Sequence, residues 1–254
     1  MKKLILLRHG QSTYNLAHRF TGWADAPLTA LGHTQAARAG ELLKEASLLP
    51  QAAYSSCLQR ARETLHTVLA HAKCSLPVQA DWRLNERHYG DFQNKTRQEA
   101  AQKYGLPAVL ACRQTFFKAP PPAADNSAAY KLVPAGVVPP NGESLHQTQQ
   151  RAAGFLDQVL FPAYQYYDIQ LLAAHEDLLR ALAVYFKKLP ASKRKNTGPP
   201  PRHSVGNGIG RLLPHRQRLF FGEPTGNSRF FKAQTRINRY PVKSLPFPPE
   251  KLLK

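Results

Sequence analysis

The sequence predicts an α/β domain, a three-layer sandwich with a mostly parallel central sheet flanked by helices. Two observations carry the prediction. Short aliphatic runs alternate with stretches of helical apolar spacing from residue 4 to about residue 189, and such alternation favours right-handed crossovers onto a parallel sheet. The first run is also continuously apolar, as a strand buried on both faces is. At 254 residues the chain can bury one full core.

Leu4 to Leu7 form the first strand, which ends abruptly in Arg8-His9-Gly10. Gly10 lets the chain turn tightly and approach a ligand closely, and ligands of open α/β sheets collect at the carboxyl ends of strands. After a Phe20-Thr21-Gly22-Trp23 loop, Thr29 is the expected N-cap of a helix through Ala36, Leu42 and Leu43. Ala52 to Ser56 reads as a short strand, and Leu58, Ala61, Leu65, Val68 and Leu69 follow at helical spacing, with Arg60 and Arg62 in the first turns. Leu76-Pro77-Val78 resembles a third strand. It leads to Asp81 through Gly90, a segment dense in ionisable and aromatic groups, and then to a helix over Thr96 to Tyr104. Leu106 to Asn141 is irregular and Pro-rich, the pattern of a lid or insertion. Ser144 caps the next helix, Ile169 to Ala174 delivers His175 as the first strand delivers His9, and Asp177 to Leu189 is expected as helix.

The net charge of +19 suggests nucleic acid or an anionic membrane, but its distribution argues otherwise. Residues 1 to 186 hold 19 Lys and Arg against 14 Asp and Glu, whereas 187 to 254 hold 16 against 2. The basicity therefore belongs to the tail. No run approaches the roughly 18 apolar residues of a membrane span, and the apolar stretch after Met1-Lys2-Lys3 is too short for a secretory signal, so a soluble, cytoplasmic protein is expected. Cys57, Cys74 and Cys112 are odd in number and lack metal-ligand spacing, which predicts reduced thiols and no metal.

His9 and His175 each end an aliphatic strand, with Arg8 and Arg60 at neighbouring junctions. A neutral imidazole is a competent nucleophile toward phosphorus, and arginine forks neutralise the oxygens of a transferring phosphoryl group. Glu86 is the candidate to protonate the leaving oxygen. Its flanking Arg83 and Arg87 are expected to hold it ionised until substrate neutralises their field.

The stretches LLRHGQSTYN, RFTGW, YSSCLQRARETL, WRLNERHYGDFQ, NGESL and LLAAHEDLLRAL resemble, in order and spacing, those of the cofactor-dependent phosphoglycerate mutases of the histidine phosphatase superfamily. WRLNERHYG is specific to the mutase branch. The resemblance implies that His9 carries the phosphoryl group as phosphohistidine and that Arg8, Arg60 and His175 bind and stabilise it. It further implies that Glu86 gives and takes the proton. Ser12, Asn15, Thr21, Gly22, Arg87, His88 and Tyr89 would belong to the phosphate and carboxylate pocket, together with Arg97 and Arg113. It also implies a 2,3-bisphosphoglycerate primer, a small phosphorylated three-carbon acid as substrate, and no metal, nucleic acid or membrane; homo-oligomerisation stays open. The chain departs from the family at Glu176, where glycine is expected, at Asp177 and Leu178 in place of Asn-Ser, at Arg113-Gln114 in place of paired arginines, and at Arg97 in place of a lysine. Extra carboxylates beside a phosphate-binding histidine oppose a dianion, so these changes bear on rate and affinity more than on reaction class.

The resemblance ends near Lys193, giving a catalytic domain over 1–189 and a basic, Pro-rich tail over 190–254. Such a tail is expected to be disordered or out of frame, since it has no apolar periodicity to offset its ordering entropy. Dropping the first base of degenerate codons supports a displaced frame. Arg202 to Gly210 then permits Gly-Ile-Pro-Leu-Val-Met-Glu-Leu-Asp, and Leu219 to Glu223 permits Tyr-Phe-Leu-Gly-Asn, each near the family's own segment at the same distance from His175. Two rivals remain to the mutase reading. One is a phosphomonoesterase of the same superfamily or an impaired or inactive mutase-like protein; the other is an inactive binding protein whose basic tail recruits nucleic acid, and the displaced frame argues against that last reading.

Overall fold

The computed structural model describes residues 2–188 and, as backbone, 209–210 and 219–222. Six strands form one sheet in the order β3-β2-β4-β1-β6-β5. The strands are β1 Lys3–Arg8, β2 Ala52–Ser55, β3 Val78–Ala80, β4 Ile169–Ala174, β5 Ile209–Gly210 and β6 Leu219–Gly222. The first four pair parallel, as expected, and β6 pairs antiparallel with β1 and β5.

The helices are α1 Thr13–Leu16, α2 Ala30–Glu45, α3 Gln59–His71, α4 Arg97–Tyr104, α5 Leu106–Gln114, α6 Ser127–Tyr130, α7 Leu145–Phe155, α8 Phe161–Ala163 and α9 Glu176–Lys188. Strand alternation builds the three layers. Leu4 and Leu6 face one side with Tyr54, Leu172, Phe155, Leu156, Leu178 and Leu182. Ile5 and Leu7 face the other with Ala53, Leu171, Ala36, Leu43, Leu65 and Val68. Ile5 and Leu7 are fully buried, each contributing roughly 1.5–3 kcal/mol. A smaller cluster of Phe20, Phe92, Ala100, Val109 and Cys112 packs α4 and α5 beside the site.

Several local readings hold. Thr29 and Ser144 cap α2 and α7, Ser144 through a reciprocal capping box with Gln147, while Thr96, expected inside its helix, caps α4 through a like box with Glu99. The three cysteines are free thiols. Three readings are corrected. β3 starts at Val78 and not at Leu76, because Pro77 has no N–H to give a ladder. The Leu106–Asn141 stretch is not wholly irregular: Leu106–Gln114 is a helix with a proline in its first turn, where a missing N–H costs nothing. The last helix begins at Glu176, one residue before its expected start.

Two short stretches of the tail are described as backbone. Leu219–Gly222 lies along β1, with Leu7 opposite Leu219 and Leu4 opposite Gly222. Antiparallel pairing satisfies the unpaired N–H and C=O groups of that β1 edge without needing apolar periodicity. The remaining tail residues, and with them the reading of a displaced frame, lie outside the described residues. Among those described, no helix is long and apolar enough to cross a membrane.

Candidate active site

Parallel register brings the two histidines together. Arg8 of β1 lies opposite Ala174 of β4, so His9 and His175 leave adjacent strands at the same level. Their ring centroids are 5.0 Å apart, about one strand spacing. The His9 N–H still bonds the Ala174 carbonyl at 2.9 Å, and the Gly10 N–H bonds Thr64 Oγ1 at 3.0 Å. A Cβ on Gly10 would stand 2.3 Å from the Gly32 carbonyl oxygen, so only glycine lets this turn press against the start of α2.

The tautomer of His9 follows from its neighbours. Nδ1 lies 2.6 Å from the Gly10 carbonyl oxygen, which only accepts, so the proton sits on Nδ1. Nε2 then presents its lone pair, and Arg60 Nε–H donates to it at 3.3 Å. Burial, Arg60 and Arg8 hold the imidazole well below its usual range, keeping it neutral and nucleophilic. His175 is depressed for the same reasons, burial first and then Arg60 and His9. Its Nε2 is 2.7 Å from Ser56 Oγ, while its buried Nδ1 has no hydrogen-bond partner. An unmet buried polar atom in such a place suits a phosphoryl oxygen.

Arg60 is delivered by the start of α3 and is fully buried. Its Nη1 and Nη2 donate to the carbonyls of Ala24 at 3.0 Å and Gly22 at 2.8 Å, which aims Nε at His9. Gly22 has φ +54°, and a Cβ there would meet Gln93 Oε1 at 2.3 Å. Burial lowers Arg60 to about 10, against the raising pull of Glu86 and Asp25. Arg8 Nη1 pairs with Glu176 Oε2 at 2.9 Å. Glu176 thus places a carboxylate on the Arg8 guanidinium.

Glu86 sits at the N-terminus of α9. Its Oε1 accepts from the backbone N–H of Arg87 at 2.8 Å and of Leu178 at 3.1 Å, and its Oε2 from that of Asp177 at 3.4 Å. The expectation that Arg83 and Arg87 keep it ionised is overturned. Arg83 is turned to Asp81 and to the Gly154 carbonyl, while burial and Asp177 raise Glu86 to about 7.

Ser12 caps α1 and Asn15 caps it in return, so each holds the other where the chain leaves His9. Thr21 is buried in the loop that grips Arg60. Arg87 is fully buried, and its three side-chain nitrogens donate to the carbonyls of Glu143, Cys112 and Lys118. It ties the Pro-rich segment to the loop carrying Glu86. His88 Nδ1 accepts from Gly90 and Gly142 N–H groups, and burial lowers it to about 4. Tyr89 Oη donates to Asp177 Oδ2 at 2.7 Å. Arg97 is half-buried at the first position of α4, and Arg113 is half-buried in the last turn of α5.

Sequence reasoning missed the Glu143–Arg151 pair. Arg151 forks onto both Glu143 oxygens at 2.8 Å and donates to the carbonyls of Arg83, Asn85 and Glu86. The signal available was NGESL itself, whose acidic residue precedes the α7 N-cap. Among the described residues no group of three or more His, Cys, Asp or Glu side chains is arranged to hold a metal ion.

Comparison with known proteins agrees with this geometry. The model of the histidine phosphatase superfamily (branch 1) matches residues 4–205. A 2,3-bisphosphoglycerate-dependent phosphoglycerate mutase of Parabacteroides distasonis is 41% identical over 197 residues, 74% of this chain and 79% of that protein. One from Bifidobacterium longum is 40% identical over 188 residues, 71% and 75% of the two chains. Among solved structures, mycobacterial glucosyl-3-phosphoglycerate phosphatase in complex with VO3 is similar with a TM-score of 0.59, at 30% identity over 76% of this chain and 85% of that one.

Proposed function

Because the chain belongs to the histidine phosphatase superfamily, branch 1, we propose that it is a phosphoglycerate mutase, interconverting 3-phosphoglycerate and 2-phosphoglycerate through phosphohistidine at His9. The observation that carries this reading is the His9 Nε2 lone pair set against Arg60, with Glu86 near 7 in the same site. A donor phosphoryl group of 2,3-bisphosphoglycerate or substrate would meet Nε2. The N–P bond forms as the P–O bond breaks, and the leaving oxygen takes the Glu86 proton. In the return step the Glu86 carboxylate removes the proton of the attacking hydroxyl, the new P–O bond forms and the N–P bond breaks. A carboxyl with proton affinity near neutral serves both directions. Arg8 and Arg60 neutralise the phosphoryl oxygens as charge spreads onto them, and neutral His175 stabilises them by hydrogen bonding.

Hydrolysis is the second reading, in which water takes the phosphoryl group. It is favoured by the Glu176–Arg8 pair, which opposes a doubly phosphorylated ligand, and by the likeness to a phosphatase structure. One assay separates the two. With 2,3-bisphosphoglycerate as primer, the mutase reading expects 3-phosphoglycerate to isomerise faster than inorganic phosphate appears, and His9→Ala to abolish both. Phosphate release without isomerisation would replace mutase by phosphatase.

A further inference from the structure

Glu86 and Asp177 are two buried carboxylates sharing one corner of the site, 7% and 4% exposed. Two such charges at close range do not both ionise freely, and their partners are unequal. Asp177 is surrounded by donors: Tyr89 Oη on Oδ2 at 2.7 Å, Arg180 Nη1 on Oδ1 at 2.5 Å, and Arg87 Nη1 at 3.6 Å from Oδ2. The side chain of Glu86 accepts backbone N–H groups alone, from Arg87, Asp177 and Leu178. The asymmetry, with burial, raises the proton affinity of Glu86.

The groups facing Glu86 come from four elements. The charge of Arg60 acts on it from α3, and Arg151 binds the Glu86 backbone carbonyl from α7. Arg87 and Tyr89 belong to its own loop, while Asp177, backed by Arg180, comes from α9. Among these, Asp177 carries the charge that opposes ionisation of Glu86, beside burial itself.

Resting on the reading of Glu86 as proton donor, we propose that Asp177 is a positioning residue for the proton: locked beside Glu86 by Tyr89 and Arg180, its carboxylate holds the proton on Glu86 until a leaving oxygen takes it. The same charge draws the proton back from the attacking hydroxyl in the return step. Arg180 damps this field, so Asp177 and Arg180 act on Glu86 with opposite signs.

The test is a titration independent of turnover. In full-length protein carrying carboxyl-13C glutamate, the Glu86 resonance is the one lost in Glu86→Gln. Asp177→Asn, which keeps side-chain shape and the backbone N–H, is expected to move its midpoint down by about one pH unit, a tenfold fall in proton affinity. Arg180→Gln is expected to move it up. The alkaline limb of the rate profile should follow in each case. A merely structural role would lower signal or stability without opposite displacements. An unmoved midpoint in folded Asp177→Asn, or displacement of both variants the same way, overturns the proposal. If Asp177→Asn does not fold, Arg180→Gln decides alone, and an unmoved midpoint refutes. Midpoints that move as expected in a protein whose rate profile ignores them would uphold the electrostatics and refute Glu86 as the proton donor.

Discussion

Arg151→Met removes the guanidinium that holds the Glu86 loop, and its cost can be worked from the contacts. Arg151 and Glu143 are 7% and 4% exposed in their side chains and meet in a two-pronged pair at 2.8 Å. Loss of the arginine leaves the Glu143 carboxylate buried with the His88 N–H as its remaining donor and takes the guanidinium donor from the carbonyls of Arg83 and Asn85, while the Glu86 carbonyl keeps the Trp23 Nε1–H at 2.6 Å. Breaking one side of a buried pair costs about 3–5 kcal/mol. For a domain of this size that lowers Tm by roughly 6–20 °C. Urea unfolding followed by tryptophan fluorescence reads the site directly, since Arg151 stacks over Trp23 at 5.4 Å and Trp23 lies 6.4 Å from Trp82, the chain's two tryptophans. Arg151→Met combined with Glu143→Gln removes the stranded charge and is expected to cost about 1–3 kcal/mol less than the two single losses added. A loss under about 1 kcal/mol in Arg151→Met, or strict additivity, would refute the claim that this pair anchors the loop.

Acid should weaken the fold below pH 6.5. His9, His175 and His88 are held neutral when folded and accept protons when unfolded, so each removes stability as pH falls. Glu86, raised to about 7, binds its proton more readily folded and acts in the opposite sense between about 4.5 and 7. The net of two protons predicts a loss of about 2.7 kcal/mol per pH unit between pH 6 and 5, and a flat urea midpoint over that range would contradict it. Glu176→Gln frees Arg8 of an exposed partner and is expected to tighten inorganic phosphate binding about fivefold, or about 1 kcal/mol; calorimetry showing no change would mean the pair does not compete with phosphate. Gly10→Ala drives a methyl group to 2.3 Å from the Gly32 carbonyl and is expected to cost about 1–3 kcal/mol, visible as a lowered Tm.

The strand-end histidines were legible because β1 and β4 are short, continuous and in register, so local pattern and tertiary placement agree. Arg60 was legible for the same reason, at the first turn after β2. The state of Glu86 was not, because adjacent arginines in sequence say nothing of where their side chains go. Arg83 turns to Asp81 and Arg87 to three carbonyls, and burial then dominates. Arg151 has no local signature, since its partners span residues 83 to 143 and are assembled by packing alone. α5 was hidden because it opens a Pro-rich stretch whose overall pattern is irregular, although Pro107 sits in its first turn, where proline suits a helix start. β6 has no counterpart in the expected elements, because its pairing with the β1 edge joins residues more than 200 positions apart.

The proposed function requires His9 Nε2 to accept a phosphoryl group. Brief incubation with 32P-labelled 2,3-bisphosphoglycerate, followed by denaturation and peptide mapping, tests that most directly. The predicted result is an acid-labile, base-stable label on the peptide containing His9, absent from His9→Ala and slower to form in Glu86→Gln. Label that survives in His9→Ala, or that resides on serine, would contradict the account.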